Sequence, residues 1–142
     1  MVADSRASLL YRIKQVELAI RGRLDEVLSE HGLTTTQYTA LTVLERNPSI
    51  TAAALARQTF VAAQTIAQLV RTLEARGWVE RRPDPGSKRQ MLLTLTPSGA
   101  ALLAGLRAPV GEIEARMTAS LAAAEVRELD RVLRAFRAAL DA

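Results

Sequence analysis

Residues 55–99 read LARQTFVAAQTIAQLVRTLEARGWVERRPDPGSKRQMLLTLTPSG. A short helical stretch ends near Gln58. A longer one is predicted from about Ala63 to Arg76, because Ile66, Leu69, Val70 and Leu73 recur at helical spacing and share one face. Gly77 stops it. Trp78–Arg82 and Gln90–Leu95 are β-type runs around Pro83-Asp84-Pro85-Gly86-Ser87, which predicts a hairpin with a long tip anchored in the core by Trp78. Short helix, turn, longer helix, hairpin is the plan of a winged helix-turn-helix, a unit that reads DNA.

The chemistry of the stretch agrees. With its apolar stripe buried, the longer helix exposes Ala63, Gln64, Thr65, Gln68, Arg71 and Thr72. A helix fits the major groove, where Gln pairs bidentately with adenine, Thr meets the thymine methyl and Arg reaches guanine or phosphate. Gln64, Thr65 and Gln68 lie near the helix start, the end that enters the groove. Lys88 and Arg89 follow the hairpin tip, with Arg81 and Arg82 at its base, and cations placed there reach the minor groove or flanking phosphates. Residues 57–90 carry seven basic against three acidic residues, the whole of the chain's +4 excess. A basic excess confined to one segment points to a polyanionic partner.

Outward from this segment the chain reads as helices. Asp4 or Ser5 can cap a first helix running to about His31, with Leu9, Ile13, Val16, Ile20, Leu24, Val27 and Leu28 spaced by three or four and Gly32 at its stop. At 1.5 Å per residue it spans roughly 39 Å, longer than a small lobe, so part of it packs elsewhere. Thr34 and Gln37 form a capping box, stapled by Leu33 and Tyr38, for a second helix to about Arg46. Thr51 caps the third. Thr96-Pro97 opens a fifth that Pro109 and Gly111 are expected to kink or break, and the last spans about 123–140 with the stripe Val126, Leu129, Leu133, Phe136 and Leu140.

Composition narrows the alternatives. The 142 residues are 49% hydrophobic, enough for a core, yet no apolar run reaches the roughly 18 residues of a membrane span. No signal peptide is visible, so a cytoplasmic location is expected. There is no Cys and one His, which excludes thiolate or multi-His metal sites and cysteine redox sensing. No nucleophile–base pairing and no phosphate loop is present, and Glu112 and Glu114 point apart on a helix, so an enzyme is not expected; nor is any cofactor or metal.

Residues 33–99 resemble the MarR family of bacterial winged-helix regulators. The ordered pieces are Gly32-Leu33-Thr34, Leu55-Ala56, Leu73-Glu74-Ala75-Arg76-Gly77, Val79-Glu80-Arg81, Asp84-Pro85 and Leu95-Thr96-Pro97-Ser98-Gly99. The flanking helices agree, so the resemblance covers nearly the whole chain. It implies a mainly α (α+β) fold: a dimerisation helix over 1–32, a winged lobe with a two-stranded wing over 33–99, and C-terminal dimerisation helices over 100–142. It further implies a homodimer on palindromic double-stranded DNA, its half-sites about one helical turn apart.

Two positions depart from the family pattern. Ser87 stands where an acid usually orients the wing-tip Arg, here Arg89, and its absence is expected to loosen the tip. Ala62 stands at the usual Ser or Thr cap, and Thr59 lies a turn too early to replace it. The family often binds a small aromatic or phenolic acid between the dimer helices and the DNA lobe. Candidate contacts are Arg12 for the carboxylate with Tyr11, His31 and Tyr38 nearby. The function expected is a repressor released by such an effector; the alternative is a constitutive or architectural DNA binder without one.

Overall fold

A computed structural model describes residues 2–141, with side chains from Ser8 onward. The elements in order are α1 (Val2–Ser29), α2 (Thr35–Arg46), β1 (Ile50–Thr51), α3 (Ala52–Thr59), α4 (Ala63–Ala75), β2 (Val79–Asp84), β3 (Ser87–Leu95), α5 (Pro97–Met117) and α6 (Ala123–Leu140). The cap side chains expected at Asp4 and Ser5 lie outside the described ones, and the backbone is helical from Val2.

The helix boundaries follow the local chemistry. Thr34 Oγ1 accepts the Gln37 N–H at 3.1 Å while Gln37 Oε1 accepts the Thr34 N–H at 3.0 Å, the reciprocal capping box. Thr51 and Thr96 cap α3 and α5 in the same way, accepting from Ala54 at 3.1 Å and Gly99 at 3.0 Å. α1 and α4 end on left-handed glycines, Gly32 and Gly77. Each closes paired backbone bonds: Gly32 and Leu33 donate to Ser29 and Leu28, Gly77 and Trp78 to Glu74 and Leu73.

Three readings change. The sheet has a third strand: β1 pairs with β3 through Ile50–Leu93 and Thr51–Leu92, giving the order β1-β3-β2. Two residues are too short to show a β period in sequence. The wing strands also run further than expected, to Asp84 and from Ser87, so Pro85-Gly86 alone closes the tip. The register steps from Pro83–Met91 to Asp84–Ser87, which leaves Lys88, Arg89 and Gln90 bulged out with nothing opposite. Finally, Pro109 does not break α5, a single helix of 21 residues. Pro109 has no N–H to give to the carbonyl of Gly105, four residues back. Packing of α5 along α1 offsets the missing backbone bond.

One core joins the elements: Leu28, Leu33, Leu41, Leu44, Leu55, Leu73, Leu93 and Leu106 are all buried. The predicted face of α4, Ile66, Leu69, Val70 and Leu73, is buried throughout. Trp78 packs against this core half-buried. The first helix enters the core through Leu28, with Leu24 and Val27 against it, while the N-terminal part of its stripe and the stripe of the last helix remain outside. Leu9 is 52% exposed, Leu133 is 47% exposed, and α6 has no buried residue.

Candidate nucleic-acid interface

α4 presents its polar face to solvent. Ala63, Gln64, Thr65, Gln68 and Arg71 are exposed, and among the described residues no side-chain hydrogen bond engages Gln64 or Thr65. Gln68 is engaged: its Oε1 accepts from Arg71 Nη2 at 2.8 Å. The Gln68 NH2 has no side-chain partner among the described residues and its Oε1 keeps a second lone pair, so a bidentate adenine contact can form with the Arg71 bond in place. The Thr72 hydroxyl donates to the Gln68 backbone carbonyl at 3.2 Å and is half-buried. It is turned onto its own helix rather than toward a groove.

Ala62 adopts the extended cap conformation but has no side-chain cap. Thr59 does not replace it, since its hydroxyl donates to the Leu55 and Ala56 carbonyls of α3 at 2.8 and 3.3 Å. The turn between α3 and α4 holds a feature with no sequence signal. Phe60 sits in the left-handed region at φ 58°, a conformation usually left to Gly. Val61 then donates to Ala56, closing the turn as at the two glycine ends.

The wing's cations divide into two groups. Arg81 Nε lies 2.6 Å from Glu74 Oε1 and ties β2 to α4. Arg82 lies 2.6 Å from Glu80 Oε1 but is well exposed, and a surface pair of this kind contributes about 0–1 kcal/mol, so Arg82 is readily released. Lys88 and Arg89, in the bulge, have no acidic partner among the described residues. At the tip Asp84 Oδ1 accepts the Gly86 N–H at 2.9 Å and Ser87 Oγ accepts the Arg89 N–H at 3.4 Å. Ser87 thus meets the Arg89 backbone, where an acid would meet the Arg89 guanidinium. The arrangement is a polar helix face beside two unpaired cations on a ribbon.

The MarR family model matches residues 31–90. The chain is 36% identical over 125 residues, 88% of each protein, to the HTH-type transcriptional repressor Rv2887 of Mycobacterium tuberculosis. It is 30% identical over 127 residues, 89% of this chain and 86% of the relative, to the multiple antibiotic resistance protein MarR of Salmonella typhimurium. The chain belongs to the MarR family. A Cys-to-Ser mutant of MarR from E. coli, solved in complex with operator DNA, matches it with a TM-score of 0.80 and 30% identity over 91% of this chain and 93% of that one. The MarR family is one of transcriptional regulators rather than an enzyme class.

The four effector residues suggested by the resemblance are not brought together in this MarR-family chain. Tyr11 and Arg12 lie on α1 nearly 20 residues, roughly 30 Å, from His31. Arg12 Nε donates to Ser8 Oγ at 3.3 Å, and His31 Nδ1 lies 3.2 Å from the Val27 carbonyl at its own helix end. Tyr38 is half-buried beside Glu45 and Arg107, which pair at 2.8 Å; burial first, then Glu45, raises its phenol above the usual 10.0. Two clefts lie elsewhere. One of about 350 Å³ separates α4 from the sheet, with Ala67, Val70, Met91 and Leu93 on its walls and Arg71 and Arg81 at its rim. The other, of about 550 Å³, runs between α1 and α5, lined by Val16, Ile20, Ile113 and Met117 with Arg23 and Arg116. Sequence spacing along one helix cannot reveal either, since each is formed by elements far apart in the chain. No helix among the described residues is long and apolar enough to cross a membrane.

Proposed function

We propose that this chain is a homodimeric, sequence-specific DNA-binding repressor. The unengaged face of α4 beside Lys88 and Arg89 carries the reading. Gln64, Thr65, Gln68 and Arg71 enter the major groove with Ala63 at the edge. Arg82, Lys88 and Arg89 take minor-groove and phosphate contacts. Thr72 contributes through the helix backbone only.

A two-fold partner accounts for the outer helices. The exposed stripes on α1 and α6 and the cleft between α1 and α5 leave apolar surface uncovered in one chain, and an isologous interface covers both copies at once. On this reading residues 1–32 and 100–142 form the frame and 33–99 the reading lobe, so the site is palindromic. We place a small aromatic acid in the cleft between α4 and the sheet, where the apolar wall of Ala67 and Met91 suits a ring and Arg71 suits a carboxylate. Because Arg71 also reads DNA, an occupied cleft competes with the operator. A binder lacking such a cleft would be constitutive.

The test is a binding titration against the DNA upstream of the protein's own coding region, from about 50 to 200 mM salt. With three to four phosphate-directed cations per subunit the log–log slope is about −5 to −7. A salt-independent affinity overturns the reading. A panel of phenolic acids added to the complex decides the effector: release supports the repressor, and no release by any member supports the constitutive alternative.

A further inference from the structure

Among the described residues two guanidinium groups stack on aromatic rings, and they flank the two ends of α4. At its C-terminal end the Arg76 guanidinium lies 4.3 Å from the Trp78 ring centroid. Its Nη1 donates to the Gly32 carbonyl at 3.1 Å, so it also holds the turn that ends α1. A Cβ on Gly32 would stand 2.8 Å from Arg76 Nη2, so the backbone approaches because that residue is glycine. At the N-terminal end Arg137 of α6 lies 4.6 Å from the Phe60 ring, with its Nε held by Asp141 Oδ2 at 2.8 Å. Phe60 is 74% exposed and left-handed, a placement that neither core packing nor backbone preference explains.

We propose that these two clasps position the recognition helix on the frame, Arg76 tying it to α1 and Arg137 to α6. The proposal rests on the dimeric DNA-reading function above. Strain at Phe60 is offset by the ring it offers to Arg137, and α6, with no buried residue of its own, gains a seat at the turn that aims α4. The geometry makes small shifts count. A 1 Å move of α4 in each subunit changes the separation of the two readers by about 2 Å, more than half of the 3.4 Å rise per base pair. Arg76 and Arg137 are thus positioning residues for half-site spacing and touch no base.

The experiment measures, in the full chain, affinity for the operator, for operators with one base pair inserted or removed between half-sites, and for a single half-site, alongside the dimer dissociation constant. Wild type discriminates among spacings. Arg137→Ala and Phe60→Leu lose roughly 4–25-fold in affinity for the native spacing, about 2–5-fold per clasp in two subunits, and discriminate less, with half-site binding and dimerisation unchanged. Phe60→Tyr, which keeps the ring, behaves as wild type. Arg76→Gln, at an unaltered urea midpoint, repeats the pattern.

Wild-type affinity and spacing preference in both α6-end variants overturn the proposal, and wild-type behaviour of Arg76→Gln overturns its α1 half. A loss in Phe60→Leu but not Arg137→Ala means the ring meets DNA directly, and a loss of dimerisation in Arg137→Ala makes that residue an interface group; either overturns the clasp. A wild-type protein that binds no operator instead defeats the function on which the proposal rests.

Discussion

Gly99→Ala sets helix propensity against tertiary packing with opposite signs. Gly99 is the third residue of α5, and in an isolated helix Ala in its place stabilises by about 1 kcal/mol. Here an added Cβ would stand 2.4 Å from the Trp78 carbonyl oxygen and 2.7 Å from Leu95 Cδ1. The carbonyl is backbone and cannot rotate away. It also accepts the Thr96 N–H at 3.0 Å, next to the bond from the Thr96 hydroxyl to Gly77 at 2.6 Å. Moving α5 outward weakens both bonds, at roughly 1 kcal/mol each. Overpacking adds about 1–3 kcal/mol. Less the propensity gain, the net loss is about 2–4 kcal/mol.

Urea unfolding at fixed protein concentration measures it, with a midpoint lower by roughly 1–2 M. Gly22→Ala is the internal control. It lies on the polar side of α1 with nothing within 4 Å of the Cβ position, so it gains about 1 kcal/mol. A Gly99→Ala protein as stable as wild type, or more so, refutes the close approach of α5 to the α4–wing junction.

Other outcomes follow from the same geometry. Thr34→Ala removes the capping box of α2 and lowers stability by about 1 kcal/mol in the same assay; no change would mean that water caps α2 equally well. Ala62→Ser gives α4 the side-chain cap it lacks and raises stability by up to about 1 kcal/mol, read from the urea midpoint. Lys88→Ala reduces the salt slope of operator binding by about 2 in the dimer while leaving base preference intact, and an altered base preference would show that Lys88 reads bases. Tyr38 is held neutral in the fold above its unfolded value of 10.0, so its contribution is complete below pH 10.0 and is lost as pH rises through its folded value. Tyr38→Phe removes that alkaline loss, seen as a flatter stability–pH curve.

The winged lobe was legible because its signals are local. The Ile66–Leu73 stripe, the threonine caps at 34, 51 and 96, and the left-handed glycines 32 and 77 each act within one turn of chain. The candidate reading face on α4 followed by subtraction once its stripe was known. The length and bulge of the wing were less legible, since a register step depends on two strands together.

Sequence alone therefore determined the order of the elements, the buried side of α4 and the concentration of positive charge on one segment. These are properties of residues within a few positions of one another. Only tertiary structure decided which of those charges remain unpaired, for Arg81 and Arg82 meet Glu74 and Glu80 while Lys88 and Arg89 do not. It also carried α5 unbroken through Pro109, added β1 to the sheet, and brought Gly32 to Arg76 and Phe60 to Arg137. The last two contacts, and the pairing of β1 with β3, join residues tens of positions apart, and such contacts leave no periodic trace in the chain.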